Sequence, residues 1–426
     1  MPICSRDTGC RRPPLARHHT ARTYVSLASS LLTNDGGPVM RFPRTPVPRA
    51  LARRFSLAAP LLLLALSAAC AKPEPESVVE IVGATTPCSG CRVELGPPLE
   101  LRAEKGAETE PAVSPTAVTN DEHGRFWVAT MHQLARVYDP NGKFLTTIGR
   151  KGGGPNDYAS PVAFLPLPGD SMLVFDFDSA HGNRAFVVDS QFHSARTLRL
   201  PGALMPTTAA EWPSRVLLTG PIVGDSSTGF TLHSVSAEQP DMKVVQSFGP
   251  GRKPTASSGT IANYQRVTAA KDSSYWCADI LRYRISHFAK DGTLLGTIER
   301  APEWFPLPSG DNDGTPVTAP PPKIFAIWQA PDGLLWVFGR VAGKNWQEGW
   351  PKLAPGATTI DLSTLRSDKL YATTIEVLDP ITRNVVSSAA LDEYVSNVLP
   401  NGNVAVFAVD SAGVPHLSIR RLTLTR

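Results

Sequence analysis

Few residues in this chain are of a type and spacing that suggests chemistry. Cys88-Ser-Gly-Cys91 sets two thiols three positions apart, a spacing open to a short disulfide, a redox pair or half of a metal site. A thioredoxin-like pair opens a helix beside a βαβ unit, which the flanking sequence lacks. A four-cysteine zinc site needs a second pair, and only Cys277 remains downstream. Asp176, Asp178 and Asp279 stand at or just beyond the ends of apolar runs, with Arg184 and Arg284 a few residues later. Gly149-Arg-Lys-Gly-Gly-Gly-Pro155 has the glycines of a phosphate loop. It lacks Gly-Lys-Ser/Thr and a following helix pattern, and Pro155 removes an N–H donor. It reads as a linker. His132, His181, His233 and His287 show no ligand spacing and no paired nucleophile, and neither Gly-x-Ser-x-Gly nor His-Glu-x-x-His occurs.

The chain that must position these residues is 426 residues long, 42% apolar and 19% charged, so it can build a large core. Forty prolines and 33 glycines suit short strands and tight turns better than helices. The net charge of +4 is unevenly spread. Residues 1–69 carry ten Arg, no Lys and two Asp, so they hold +8 and leave −4 to the remainder. A mildly acidic remainder lacks the basic footprint of a nucleic-acid binder, and no nucleic-acid partner is expected.

Arg41, Arg44, Arg49, Arg53 and Arg54 precede an apolar run, residues 55–66, that ends in Ser67-Ala-Ala-Cys70. A basic segment, an apolar segment and small residues in that order form an export signal. The run is shorter than the roughly 20 residues a spanning helix needs, and Pro60 interrupts it. Leu66-Ser-Ala-Ala-Cys70 resembles the lipobox of bacterial lipoproteins, with Ser67 where that family usually has Leu, Val or Ile. The resemblance implies lipidation of Cys70 and an outer-membrane lipoprotein facing the periplasm, since Ala71 rather than Asp follows the Cys. The alternative is cleavage by ordinary signal peptidase, which gives a soluble periplasmic protein. Residues 1–39 read as an untranslated or disordered extension before a start at Met40, 40–69 as the signal peptide and 70–91 as a polar, Pro-rich tether. Export to an oxidising compartment favours a Cys88–Cys91 disulfide.

Residues 92–426 repeat. Phe126-Trp-Val-Ala-Thr130, Met172-Leu-Val-Phe-Asp176, Val216-Leu-Leu-Thr-Gly220, Tyr275-Trp-Cys-Ala-Asp279, Leu335-Trp-Val-Phe-Gly339 and Val404-Ala-Val-Phe-Ala408 share one pattern, and turn residues precede most of them. Their centres step by 46, 44, 59, 60 and 69 residues, so the later units carry insertions. Second and third strands follow in register, which with a short leading strand makes four antiparallel strands per unit. That is the signature of an all-β, six-bladed β-propeller. Cys277 fills a column of Val and Leu and reads as a small buried hydrophobe. The sixth unit lacks an outer strand. Val93, Leu95, Leu99 and Leu101 alternate with polar residues and are expected to close the ring as one half-buried strand.

Trp276-Cys-Ala-Asp279 followed by Arg284-Ile-Ser-His-Phe288 resembles an NHL-type repeat, as does Asp176 followed by Asn183-Arg-Ala-Phe-Val-Val-Asp189. Thr146-Thr-Ile-Gly-Arg-Lys-Gly-Gly-Gly-Pro-Asn-Asp-Tyr158 is similar to a linker of bacterial six-bladed propeller lipoproteins. The resemblance implies a fold more than a function. In such a ring Asp176, Asp178 and Asp279 face one channel mouth. Carboxylates there could bind Ca²⁺, whereas the plain reading has them bound to backbone or to Arg184 and Arg284. Thr130, Gly220, Gly339 and Ala408 at the matching positions supply few ligands. The sequence therefore points to an envelope-anchored binding or scaffolding propeller without a cofactor. Its partner would be a protein, peptide or glycan, and only the lipid anchor would touch membrane. The rival is a divalent-metal-dependent hydrolase or lyase acting at the channel mouth.

Overall fold

The six apolar runs are the second strands of six four-stranded antiparallel sheets. The computed structural model describes residues 79–81, 88, 90–102, 114–130, 134–151, 157–177, 183–202, 204–222, 229–249, 264–306, 319–350 and 365–426. The innermost strands are Ala117–Asn120, Pro161–Leu167, Met205–Glu211, Gln265–Ala269, Lys323–Gln329 and Val395–Val398. Each neighbours the next, and the last abuts the first. The protein is an all-β, six-bladed propeller. The export segment, Cys70 and Asp178 lie outside the described residues.

Side chains that alternate across a strand explain why the second strands are apolar throughout. Each blade packs both faces against neighbours, so both parities are buried. In blade three Leu218 joins the core shared with blade two, and Leu217 joins the core shared with blade four. In blade five Leu335 and Val337 face blade four, whereas Trp336 and Phe338 face blade six. Cys277 sits between blades three and four beside Leu217 and Phe288, 1% exposed. The residues expected to form a linker after blade one include two short paired strands, Arg150–Lys151 and Asp157–Tyr158. Tyr158 is fully buried in the core between blades one and two.

The ring closes through its N-terminal segment. Arg92–Glu100 pairs antiparallel with Pro415–Thr425 and completes blade six. One detail differs from the expectation of a single apolar face. The register shifts between Leu95 and Pro98, and that bulge turns the strand over. Val93 and Leu95 therefore pack on the core between blades five and six, and Leu99 and Leu101 on the core between blades six and one. Arg420 serves the bulge, donating from Nε to the Gly96 carbonyl at 2.8 Å.

A second difference lies in the segment 70–91 expected as a tether. Val79–Ile81 forms a short strand parallel to Leu294–Glu299, adding a fifth strand at the outer edge of blade four. A free edge offers unpaired backbone donors and acceptors, and Val-Glu-Ile suits a strand better than a loop. Among the described residues no helix is long and apolar enough to cross a membrane.

Candidate functional site

The inner strands all begin on one face of the ring, where the second strands end. Gln265 pairs with Asp279, and Lys323 with Arg340. Neighbouring blades are stitched there through the first backbone N–H groups. Gln265 N donates to Thr219 Oγ1 at 2.8 Å, Ile324 N to the Ile280 carbonyl at 2.9 Å, and Val395 N to Thr373 Oγ1 at 2.9 Å.

The carboxylates on this face have internal partners. Asp176 accepts the backbone N–H groups of Ala159 and Ser160 at 3.0 and 2.7 Å, and Arg184 Nε at 3.1 Å. Arg184 continues to the Asp157 carbonyl at 2.6 Å. Asp279 accepts Gln265 Nε2 at 2.7 Å, and Arg284 pairs with Glu299 at 3.3 Å. A Ca²⁺ site needs several free oxygens around one ion. Asp176 spends its oxygens on two amides and a guanidinium, so a cation there would have to displace a cation. Among the described residues no three His, Cys, Asp or Glu side chains gather as a metal site. Asp176 and Asp279, as held by these partners, do not offer the free oxygens a Ca²⁺ ion needs.

Two further sites concern cysteine and histidine. Cys88 and Cys91 are joined by a disulfide, with Cα atoms 5.3 Å apart. The Cys91 carbonyl accepts Ser387 Oγ of blade five at 3.2 Å. His287, which shows no paired nucleophile along the chain, does have a hydroxyl neighbour across its hairpin. Ser274 Oγ lies 2.6 Å from His287 Nε2 and also donates to Asp272. A nucleophile's base is oriented by a carboxylate on the imidazole's far nitrogen. Here the carboxylate binds the hydroxyl instead. Ser274 is buried, and the imidazole stacks on Trp276 at 4.0 Å. Burial lowers the His287 pKa. The trio braces a turn.

What distinguishes the inner-strand face is positive charge. Arg266 of blade four and Lys323 and Arg340 of blade five cluster there, each partly exposed. The Arg340 guanidinium lies between two rings, 4.3 Å from Phe325 and 4.8 Å from Tyr394, and donates to the Ser396 carbonyl at 2.8 Å. Lys323 Nζ sits 4.4 Å from the Tyr371 ring centre and 3.2 Å from its hydroxyl. No carboxylate pairs with any of the three among the described residues. The Nε–H groups of Arg266 and Arg340 are buried without a partner. Burial, then the charges of Arg340 and Arg266, lower the Lys323 pKa to about 7. Burial and Arg340 lower that of Arg266 to about 10. Both shifts disfavour a charge that no described carboxylate neutralises.

The sequence reading missed this cluster. Hairpin register does not announce it: counting back from the Pro331-Asp-Gly333 turn sets Lys323 opposite Val341, and only the bulge between Ile324 and Ala326 brings it opposite Arg340.

No family model matches the sequence, and no curated protein does. Solved structures do resemble the fold. One is a protein from Bacteroides fragilis with a provisional description as exported, 10% identical, covering 81% of this chain and 100% of its own, with a TM-score of 0.51. Another is a β-propeller domain from Myceliophteria thermophila, 10% identical, covering 74% and 99%, with a TM-score of 0.40. Virginiamycin B lyase from Staphylococcus aureus is 11% identical, covering 77% and 99%, with a TM-score of 0.38. Identities this low carry the propeller fold and nothing finer.

Proposed function

We propose that this chain is a binding or scaffolding propeller of the bacterial cell envelope, exported through residues 40–69 and anchored by lipid at Cys70. It meets its ligand on the face where the inner strands begin. The observation that carries this reading is the contrast on that face. Asp176 and Asp279 are spent on internal hydrogen bonds, whereas among the described residues no carboxylate meets Arg266, Lys323 or Arg340. Like charges left together at a half-buried site weaken a fold, so such a cluster suits a place where something else arrives. The provisional description of the Bacteroides fragilis protein as exported agrees with an envelope location.

The rival reading, a divalent-metal-dependent hydrolase or lyase, would need Asp176 freed from Arg184. A small-molecule extract of the envelope separates the two. The extract should raise the unfolding midpoint of the purified protein without being consumed, and Arg340→Gln should abolish the rise. Turnover of an extract component that stops on chelation would favour the rival.

A further inference from the structure

We propose that Arg266, Lys323 and Arg340 form a binding site for an oxyanion, the phosphate or carboxylate group of a small ligand. This rests on the binding reading above and gives its ligand a chemical class.

Elsewhere in the molecule, several arginines withdrawn from water meet carboxylates. Arg184 meets Asp176, Arg300 meets Glu376 at 3.2 Å, Arg125 meets Asp121 and Asp170, and Arg366 meets Asp368. These four guanidiniums each have a carboxylate, while half-buried Arg196 donates to the Glu238 carbonyl and stacks on Trp212. Among the described residues Arg266, Lys323 and Arg340 lack such a carboxylate together, in one place, on neighbouring strands. A buried cation without an anion is costly, and like charges directly opposite on paired strands add to the cost. Three such residues side by side are consistent with an anion supplied from outside.

The donors fit an oxyanion better than a halide. A guanidinium presents a planar fork of N–H groups matched to two oxygens of one carboxylate or phosphate. The half-buried Arg266 and Arg340 carry such forks, and Lys323 adds a point charge. Phe325 and Tyr394 hold the Arg340 guanidinium from two sides, so little side-chain freedom remains to be lost when an anion binds. The cluster is also small. Its aromatic border suits one compact charged group rather than the repeated phosphates of a nucleic acid.

The test follows the unfolding midpoint of the purified protein against inorganic phosphate and against malonate at constant ionic strength. Saturable stabilisation by at least one is expected, and the anion acting at lower concentration identifies the group as phosphate or carboxylate. Arg266→Gln and Arg340→Gln should each weaken the apparent affinity by about tenfold or more, as loss of a charged hydrogen bond does. Lys143→Gln, an exposed change in a turn of blade one, should leave it unchanged. Lys323→Gln guards against misfolding as an explanation. It should raise the midpoint of the free protein by removing a repelling charge, yet shrink the increment that phosphate or malonate adds. No saturable response to either anion, or an undiminished increment in Lys323→Gln, would overturn the proposal. The extract experiment judges the broader binding reading separately.

Discussion

Lys323 and Arg340 are register partners on adjacent strands of blade five, two cations face to face. Cross-strand pairs of like charge destabilise a sheet, and here burial compounds the effect. With Arg266 beside it, the pair holds charge at a cost that no described carboxylate recovers.

That cost gives a pH signature. The Lys323 pKa falls from 10.5 unfolded to about 7 folded, with Arg340, Arg266, Tyr371 and Tyr394 around it. Between those values the unfolded chain binds more protons, so this group's contribution makes stability rise with pH from about 7 towards 10. Lys323→Met should stabilise the protein at pH 6 by on the order of 2 kcal/mol and have little effect near pH 10. Denaturant titrations at the two pH values check this. An equal effect at both would mean that Lys323 titrates normally.

Asp176 is a structural carboxylate. Asp176→Asn should cost about 3 kcal/mol, because Arg184 would lose its anionic partner in a buried site. Chelation of divalent ions should leave the wild-type midpoint where it is. A midpoint that falls on chelation and recovers with Ca²⁺ would return the mouth carboxylates to a metal role.

The bulge in the closing strand can be tested by additivity. Leu95 and Leu99 pack on different interblade cores. Leu95→Ala and Leu99→Ala should each cost about 1–2 kcal/mol, since both are half-buried, and the double variant should equal the sum within about 0.5 kcal/mol. Strong coupling would place both residues in one core, as an unbroken strand would.

Gly149 turns the chain between blades one and two at φ +72°, with the Tyr158 ring where its side chain would be. Gly149→Ala should cost about 2–3 kcal/mol through backbone strain and displacement of that ring. A neutral substitution in thermal unfolding would mean that the linker is looser than it looks.

The blades were legible in the sequence because a strand buried on both faces is apolar at every position. Met172–Phe175 and Leu335–Phe338 carry that mark whatever their insertions. Closure was legible because the sixth unit is one strand short and residues 92–101 belong to no other. The bulge was missed because Val93, Leu95, Leu99 and Leu101 share one parity, although Gly96-Pro-Pro98 between them is the local mark of a bulge. The strand Val79–Ile81 was hidden by its Pro-rich surroundings. The cationic cluster escaped for a different reason. Arg266 meets Lys323 and Arg340 only because inner strands of consecutive blades begin side by side, and a span of 74 residues has no periodicity to reveal it. The strand-end carboxylates are visible in the sequence, but their partners Ala159, Ser160 and Gln265 are set only by the fold.

The central claim is that Arg266, Lys323 and Arg340 hold uncompensated charge until an anion arrives. The measurement that tests it most directly is the titration of the Lys323 side chain by NMR, on protein with and without phosphate. The account predicts a midpoint of about 7 in the free protein and a clear rise when phosphate is present, because a bound anion favours the ammonium form. A midpoint near that of an ordinary lysine in both samples would contradict it.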